Sequence, residues 1–356
     1  MTGNGKERIN MRKVLIALVI LAVGLSGLLI WHCSGIEMEN NQVRIGVTVY
    51  QMEDPFIAQI PQYIEKIAKE YEEEHGVRVF VDVVDAMGNQ NLQNDQVSQF
   101  LDRDFDVLCV NMVDRTAAGS IVDKAMQADV PVVFFNREPV EEDMRRWDKL
   151  YYVCSKADES GVLEGGIVVD AYQAQPERWD KNGDGKLQYV LLEGEQGHQD
   201  SLIRTEVTIK TITDAGIELD KLAGETADWQ RAQAGVLMEQ WVQEFGDQIE
   251  LVISNNDNMA LGALDTYAAL GIEELPMIVG IDAIQPALEA VKEGRMTGTV
   301  LNDAKGQAQA IFDLAYPLAQ GKDPVENCET LENRYVWVAH QAVTTENLEE
   351  ILALLQ

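Results

Sequence analysis

Side chains rich in oxygen and nitrogen recur where the apolar runs of this 356-residue sequence stop. Asp54 and Phe56 follow VRIGVTVY. VPVVFFN ends in Asn136. LQYVLLEG leads to His198 and Asp200, with Arg204 one turn further on. Trp229 stands just before a helical stretch. IELVISNND carries Asn256, PMIVGID ends in Asp282, and MTGTVLND contains Asn302. Carboxylates and amide oxygens accept hydrogen bonds, whereas Arg, His and amide nitrogens donate them. With two aromatic rings to lie against C–H faces, the set suits a neutral ligand rich in hydroxyl groups. Taken singly, each residue has a plainer reading. Asn or Asp at a strand end caps a helix or makes a turn, and Asp200 could cap the helix after it. Arg204 could form a surface ion pair, and Phe56 and Trp229 could fill a core. The shared reading gains weight because nearly every strand end in both halves carries such a group.

A second group has metal-ligand spacing. In DKNGDGKLQ, Asp180, Asn182 and Asp184 fall at positions 1, 3 and 5 of a calcium loop and Gly185 at position 6. Lys186 offers its carbonyl at position 7, and Gln188 stands at position 9. Position 12 needs a bidentate Glu, and Leu191 stands there instead. The loop also runs into an apolar strand rather than a helix, and for DKNGDG alone a solvated turn is the alternative.

The elements that must position these groups follow from hydrophobic period. Continuous β-branched runs at 43–50, 77–85, 105–113, 130–136, 187–194, 249–257, 276–282 and 296–303 read as strands buried on both faces. Between them lie amphipathic stretches, beginning with the Ile57, Ile60, Ile64, Ile67 stripe. Helices are expected over 94–102, 117–128, 158–173, 200–214, 230–245, 258–270, 286–293, 304–320 and 346–355. The fold class is α/β, with two doubly wound parallel-sheet domains and a ligand cleft between them at the carboxyl ends of the strands.

Charge narrows the partners. Residues 1–13 carry +3 within a total of −32, so the rest of the chain carries −35. That repels phosphate backbones and anionic membrane surfaces and argues against nucleic acid. Val14–Trp31 is an uncharged run of 18 residues behind those cations. Over residues 1–36, a cleaved signal peptide, an uncleaved membrane anchor and a lipoprotein signal ending at Cys33 all fit, and each exports the remainder. Cys109 and Cys154 sit in apolar runs and read as small core residues. The four histidines are scattered and no CxxC pattern occurs, so zinc is not expected.

From about Arg44 to the C-terminus the chain resembles the periplasmic galactose/glucose-binding proteins, type I periplasmic binding proteins that receive sugar for ABC transporters. The residues that carry the likeness are GVTVY-x3-DPF, QNDQ (93–96), VPVVFFNREP, DKNGDGKLQ, GEQGHQD-x3-R, Trp229, NND-x-MA-x-GA, GID and VLND, all in order. The resemblance implies that Phe56 and Trp229 sandwich a hexose ring and that Asp54 binds near its 4-hydroxyl. Asn136, His198, Asp200, Arg204, Asn256, Asp282 and Asn302 would hold the other oxygens. Arg137 stands where the family pattern has Lys. The choice between D-galactose and D-glucose stays open, since a carboxylate accepts from an axial or an equatorial hydroxyl.

The resemblance also implies that Glu250 completes the loop. The Ca2+ ligands would then be Asp180, Asn182, Asp184, Lys186, Gln188 and Glu250, in a structural site. The lobes implied are 43–154 with 303–336, and 155–302 with 337–356. They would close about crossings near Cys154–Ser155, Asn302–Asp303 and Val336–Trp337. The partners implied are a monosaccharide, an ABC transporter permease and a membrane sensor, for a monomer that is not an enzyme. Three rivals remain: a glycosidase using a pair among Asp54, Asp200 and Asp282, a sugar-responsive regulator, and a receptor of the same fold for ribose or another sugar.

Overall fold

The computed structural model of the protein describes residues 42–355, apart from 327 and 329. The expectations for residues 1–36 and for Cys33 lie outside the described residues. Among the described residues no helix is long and apolar enough to cross a membrane.

Strands and helices alternate through the first half: β1 (Gln42–Val49), α1 (Gln59–His75), β2 (Arg78–Asp85), α2 (Gln90–Asp102), β3 (Val107–Val110), α3 (Gly119–Ala128), β4 (Val132–Phe135) and β5 (Leu150–Cys154). The second half repeats the alternation with α4 (Ala157–Ala174), β6 (Lys186–Glu193), α5 (Gln199–Asp214), β7 (Glu218–Thr226), α6 (Arg231–Phe245), β8 (Leu251–Ser254), α7 (Asp257–Leu270), β9 (Met277–Val279), α8 (Gln285–Lys292) and β10 (Thr299–Asn302). The chain ends with α9 (Ala304–Ala319), β11 (Tyr335–Trp337), β12 (His340–Val343) and α10 (Leu348–Leu354).

Two parallel sheets result. The first has the order β11-β5-β4-β3-β1-β2 and the second β7-β6-β8-β9. All residues of β3, β4 and β8 are buried. That is why their sequences show no polar alternation: helices cover both faces of such a sheet. In α1 the expected stripe faces inward, with Ile60 and Ile64 fully buried. Each such side chain contributes about 1.5–3 kcal/mol by leaving water.

The chain passes between the sheets three times. It leaves β5 for α4 and the second sheet, returns from β10 into α9, and leaves β11 for β12. Trp337, expected just beyond the third crossing, is the last residue of β11 and pairs with Cys154. β10 and β12 form a separate antiparallel pair, with Asn302 opposite His340, and the parallel bridges Val279–Gly298 and Asp282–Leu301 tie β10 to the end of β9 and the segment after it. Cys109, Cys154 and Cys328 are buried and unpaired.

Candidate functional site

All ten side chains expected to meet a ligand line a single cavity between the strand ends of the two sheets. Asp54, Phe56 and Asn136 reach it from the first sheet. His198, Asp200, Arg204, Trp229, Asn256 and Asp282 reach it from the second, and Asn302 from the end of β10, which pairs with β12. Water-sized space within it amounts to about 30 Å³, inside about 350 Å³ of space between the side chains that includes open solvent.

Each group is held before any ligand arrives. Asp54 Oδ1 accepts from the backbone N–H groups of Phe56 and Ile57, at 2.9 and 3.1 Å. Its Oδ2 accepts from the Tyr50 hydroxyl at 2.7 Å. Burial, and then the Asp54 charge, push the Tyr50 phenol far above its ordinary range, so it stays a donor. The N–H of Asp200 donates to His198 Nδ1 at 3.2 Å. Burial first, then Arg137 and Arg204, hold the His198 imidazole well below its usual range. A neutral ring with an accepting Nδ1 carries its proton on Nε2, a donor for the cavity. The ring meets Trp229 edge-on, with centroids 5.1 Å apart.

Arg204 is buried, with Nη1 on the Asn255 carbonyl at 2.9 Å and Nη2 3.8 Å from Asp200. Its Nε has no partner. A buried donor left unpaired costs about 1–3 kcal/mol, which a ligand oxygen would recover. Asn256 caps α7 by accepting from the Met259 N–H at 3.0 Å, which leaves its amide nitrogen free to donate. The capping reading and the ligand reading are thus compatible at this residue. Asn302 donates to Asp282 at 3.2 Å and accepts from Gln307 at 2.7 Å. Burial pushes the Asp282 carboxyl up to about 7, against the pull of Arg204.

Backbone strain gathers at the same place. Asn136, Trp229 and Asp282 have φ of 61°, 65° and 121°. Left-handed backbone at non-glycine residues costs of order 1–3 kcal/mol and persists where surrounding contacts enforce it. Gly194 answers to Trp229 directly. A Cβ there would lie 2.1 Å from Trp229 Cη2, so only glycine lets the indole lie down.

Three contributors, Tyr50, Ile57 and Asn111, were missed in the sequence, and Arg137 was noted there only as a departure from the family pattern. Tyr50, Ile57 and Arg137 also line the cavity. Arg137 stacks over the Tyr50 ring at 3.9 Å and donates to the Val113 carbonyl at 2.6 Å. Asn111 receives the Tyr50 N–H on Oδ1 and gives its amide to Asn136 Oδ1. Asn111 ends the run FDVLCVN, so the rule that found Asn136 applies to it equally. The QNDQ motif lies behind these groups. Gln93 bridges the Asn111 carbonyl and the Val113 N–H, and Gln96 joins Thr48 to the Asp85 carbonyl.

The loop at 180–188 folds around its own side chains. Asp180 accepts from the N–H groups of Asp184 and Gly185. Glu250, from the segment before β8, is buried, and its two oxygens accept from the N–H groups of Lys181 at 2.6 Å and Gln188 at 3.0 Å. Burial still pushes its carboxyl upward. Asn182 donates to Asp184 and Gln188, and Gln188 donates to Asp184. Turning these two amides would present oxygens instead, so the donor set suits a hard cation. Among the described residues, no group of three or more His, Cys, Asp and Glu is placed to hold a metal ion. Lys186 begins β6, and Leu191 is buried in that strand, which removes position 12 from the loop.

Two parallel-sheet units joined by three crossings, with polar strand ends turned to one cleft, define the class of the periplasmic binding proteins. The periplasmic binding protein domain matches residues 45–323, and the chain belongs to that family. It is 38% identical over 311 residues to the D-galactose/methyl-galactoside binding periplasmic protein MglB of Haemophilus influenzae, covering 87% of this chain and 92% of that one. It is 27% identical over 278 residues to the ribose import binding protein RbsB of Bacillus subtilis, covering 78% and 82%. An ABC transporter solute binding protein of Bacillus halodurans, solved with myo-inositol, superposes with a TM-score of 0.73 at 29% identity, over 88% of this chain and 99% of that one. These relatives are binding proteins rather than enzymes, and the glycosidase reading of the carboxylates falls with that.

Proposed function

We propose that this chain is an exported receptor that captures D-galactose or D-glucose and presents it to the permease of an ABC transporter. The observation that carries the reading is the convergence of Asp54, Phe56, Asn136, His198, Asp200, Arg204, Trp229, Asn256, Asp282 and Asn302 on one cavity. A hexopyranose has many hydroxyls and two C–H faces. Those needs match acceptors, donors and two aromatic rings drawn from both sheets. The two lobes on either side of the three crossings close about them. Binding favours the closed form because only there do both sets of groups reach the ligand. A ligand lacking one hydroxyl would strand a buried partner, at a cost of about 1–3 kcal/mol.

The same reading gives the loop a structural Ca2+, held by Asp180, Asn182, Asp184, Gln188 and Glu250 with the Lys186 carbonyl. Its support is the spacing of the loop and the buried Glu250 carboxylate beside it. The ion would pin the loop to the segment before β8.

Calorimetric titration with D-galactose, D-glucose, D-ribose and myo-inositol tests the receptor. One-to-one binding of a hexose with rejection of ribose and inositol is expected. Tighter binding of either other ligand overturns the hexose assignment while leaving the family intact. In the same samples, a melting temperature that drops on chelation and recovers with calcium is expected, and an unchanged one removes the ion.

A further inference from the structure

Asn302 lines the cavity, and the end of its amide that faces inward is settled from behind. Its Nδ2 donates to Asp282 Oδ1 at 3.2 Å, and its Oδ1 accepts from Gln307 Nε2 at 2.7 Å. Gln307 is fully buried in the first turn of α9, a helix that packs on α1 and on β3, β4 and β5 of the first sheet. The same Nε2 reaches Ser155 Oγ at 3.2 Å, and Ser155 is the residue after β5. One amide nitrogen therefore ties the first crossing, at Ser155, to the second, at Asn302. Gln307 does not line the cavity itself.

The chain of bonds has a direction. Once ionised, Asp282 only accepts, so Asn302 turns its nitrogen to that carboxylate. The Asn302 oxygen then needs a donor, and the nitrogen of Gln307 supplies it. A reversed Gln307 would set Oε1 against Asn302 Oδ1, two acceptors with no proton between them. The orientation leaves a trace: Gln307 Oε1 is buried and has no partner. Buried amide oxygens are normally paired, so donation to Asn302 and Ser155 outweighs that loss. An amide nitrogen carries two protons. With one on Asp282, Asn302 keeps the second for a ligand oxygen.

We infer that Gln307 is a positioning residue for sugar binding, which locks Asn302 as a donor toward the ligand and joins that donor to the first crossing. The inference rests on the receptor reading of the cavity and adds to it a residue behind the cavity wall.

The test is calorimetric titration of the purified protein with whichever of D-galactose, D-glucose, D-ribose and myo-inositol it binds most tightly. Gln307→Met keeps the length of the side chain and removes the donor. It should weaken binding about five- to tenfold, the order of one lost hydrogen bond. Asn302→Ala should weaken binding at least as much. Adding Gln307→Met to Asn302→Ala should weaken it no further, because Gln307 acts through Asn302. Gln307→Glu supplies a readout that packing alone does not move. Burial raises a carboxyl, and its protonated form can donate to Asn302 whereas its ionised form cannot. Relative to the parent at the same pH, this variant should bind within about twofold near pH 5 and about tenfold more weakly near pH 8. Arg204, Asp54 and Asp200, which act on Asp282, and His340, opposite Asn302, are present in both proteins and cancel in the ratio. Losses that add in the double variant, or a Gln307→Glu deficit equal at both pH values, would make Gln307 a packing residue only. If Gln307→Met does not fold, the Gln307→Glu comparison decides alone. An Asn302→Ala protein that binds like the parent overturns the inference and leaves the receptor standing. If the parent binds none of the four ligands, the receptor reading fails and the role of Gln307 fails with it.

Discussion

Arg137, at the end of β4, reaches Glu195, beyond the end of β6, with Nη2 2.6 Å from Oε2. The ion pair joins the strand ends of the two sheets across the cavity mouth. Its two ends differ: Arg137 is 6% exposed and Glu195 44%. The guanidinium is held on the first sheet by the Tyr50 ring and the Val113 carbonyl. If the lobes close on a ligand as proposed, the pair forms on closure and favours the closed form. Half-exposed pairs contribute about 0.2–1 kcal/mol and are screened by salt. Glu195→Gln should lower ligand affinity about two- to fivefold at low ionic strength and have little effect at high ionic strength. Titration of both proteins at the two salt levels checks this. Equal affinities at low salt would mean that closure does not draw on the pair.

Gly194 and Trp229 give a sharper test, because one atom decides the outcome. A methyl at position 194 would lie 2.1 Å from Trp229 Cη2 and must push the indole out of the cavity. The backbone around Gly194 stays tied down through its N–H on Asn255 Oδ1 at 3.0 Å. Gly194→Ala should therefore cut affinity about tenfold or more, the order of one lost aromatic contact, while shifting the melting temperature little. Trp229→Ala should do at least as much. A Gly194→Ala protein that binds normally would remove Trp229 from the ligand's surroundings.

The strand ends were legible because buried parallel strands leave a plain mark, an unbroken apolar run that stops. Asp54, Asn136, Asp282 and Asn302 stand at such stops, the other six stand at or just beyond them, and the likeness to sugar receptors added the role of each. Arg137 and Tyr50 were harder to see. Arg137 follows a residue already chosen, and its role depends on a ring that ends a different run. Strand β7 was missed because it lies at the edge of its sheet. Its residues are half-buried or exposed, and ELDKLAGET reads as a turn-rich polar stretch. Strands β11 and β12, of three and four residues, are too short to show any period. Glu250 is the clearest case of what periodicity cannot give. Nothing in IELVISNND marks its first carboxylate as a partner of a loop more than sixty residues away, and only the resemblance supplied it.

If Asp282 meets the ligand as proposed, ligand affinity should depend on pH. Burial raises its carboxyl to about 7. A ligand hydroxyl donating to this group favours the ionised form, so binding below pH 7 must first expel a proton. Affinity should then be flat above about pH 8 and fall as the pH drops below 7, by at most about tenfold per unit for one proton. Asp282→Asn should bind more weakly throughout and lose this slope. Calorimetry in two buffers of different ionisation enthalpy measures the proton released. A parent protein that shows neither slope nor release would mean that Asp282 is already ionised before the ligand arrives.

Glu164 carries the same physics into stability, away from the ligand. It is fully buried on α4 and accepts from Thr208 Oγ1 at 2.7 Å through Oε2, while Oε1 has no partner. Burial raises its carboxyl to about 8, although Thr208 and Arg204 pull the other way. A carboxylate whose folded value lies above its unfolded value binds its proton more tightly in the native state. Its effect on stability is therefore constant below the unfolded value, near 4.3. The native state then loses stability as the pH rises from about 4 to about 8, and the loss levels off above that. Each unit of the shift is worth about 1.4 kcal/mol, so the total is a few kcal/mol. Glu164→Gln keeps an acceptor for Thr208 and has no proton to lose. Its melting temperature should match the parent's near pH 5 and exceed it by several degrees near pH 9. Thermal unfolding followed by circular dichroism across that range, without ligand, decides it. Parallel curves at both ends would mean that Glu164 has the same affinity for its proton in the folded and unfolded chains.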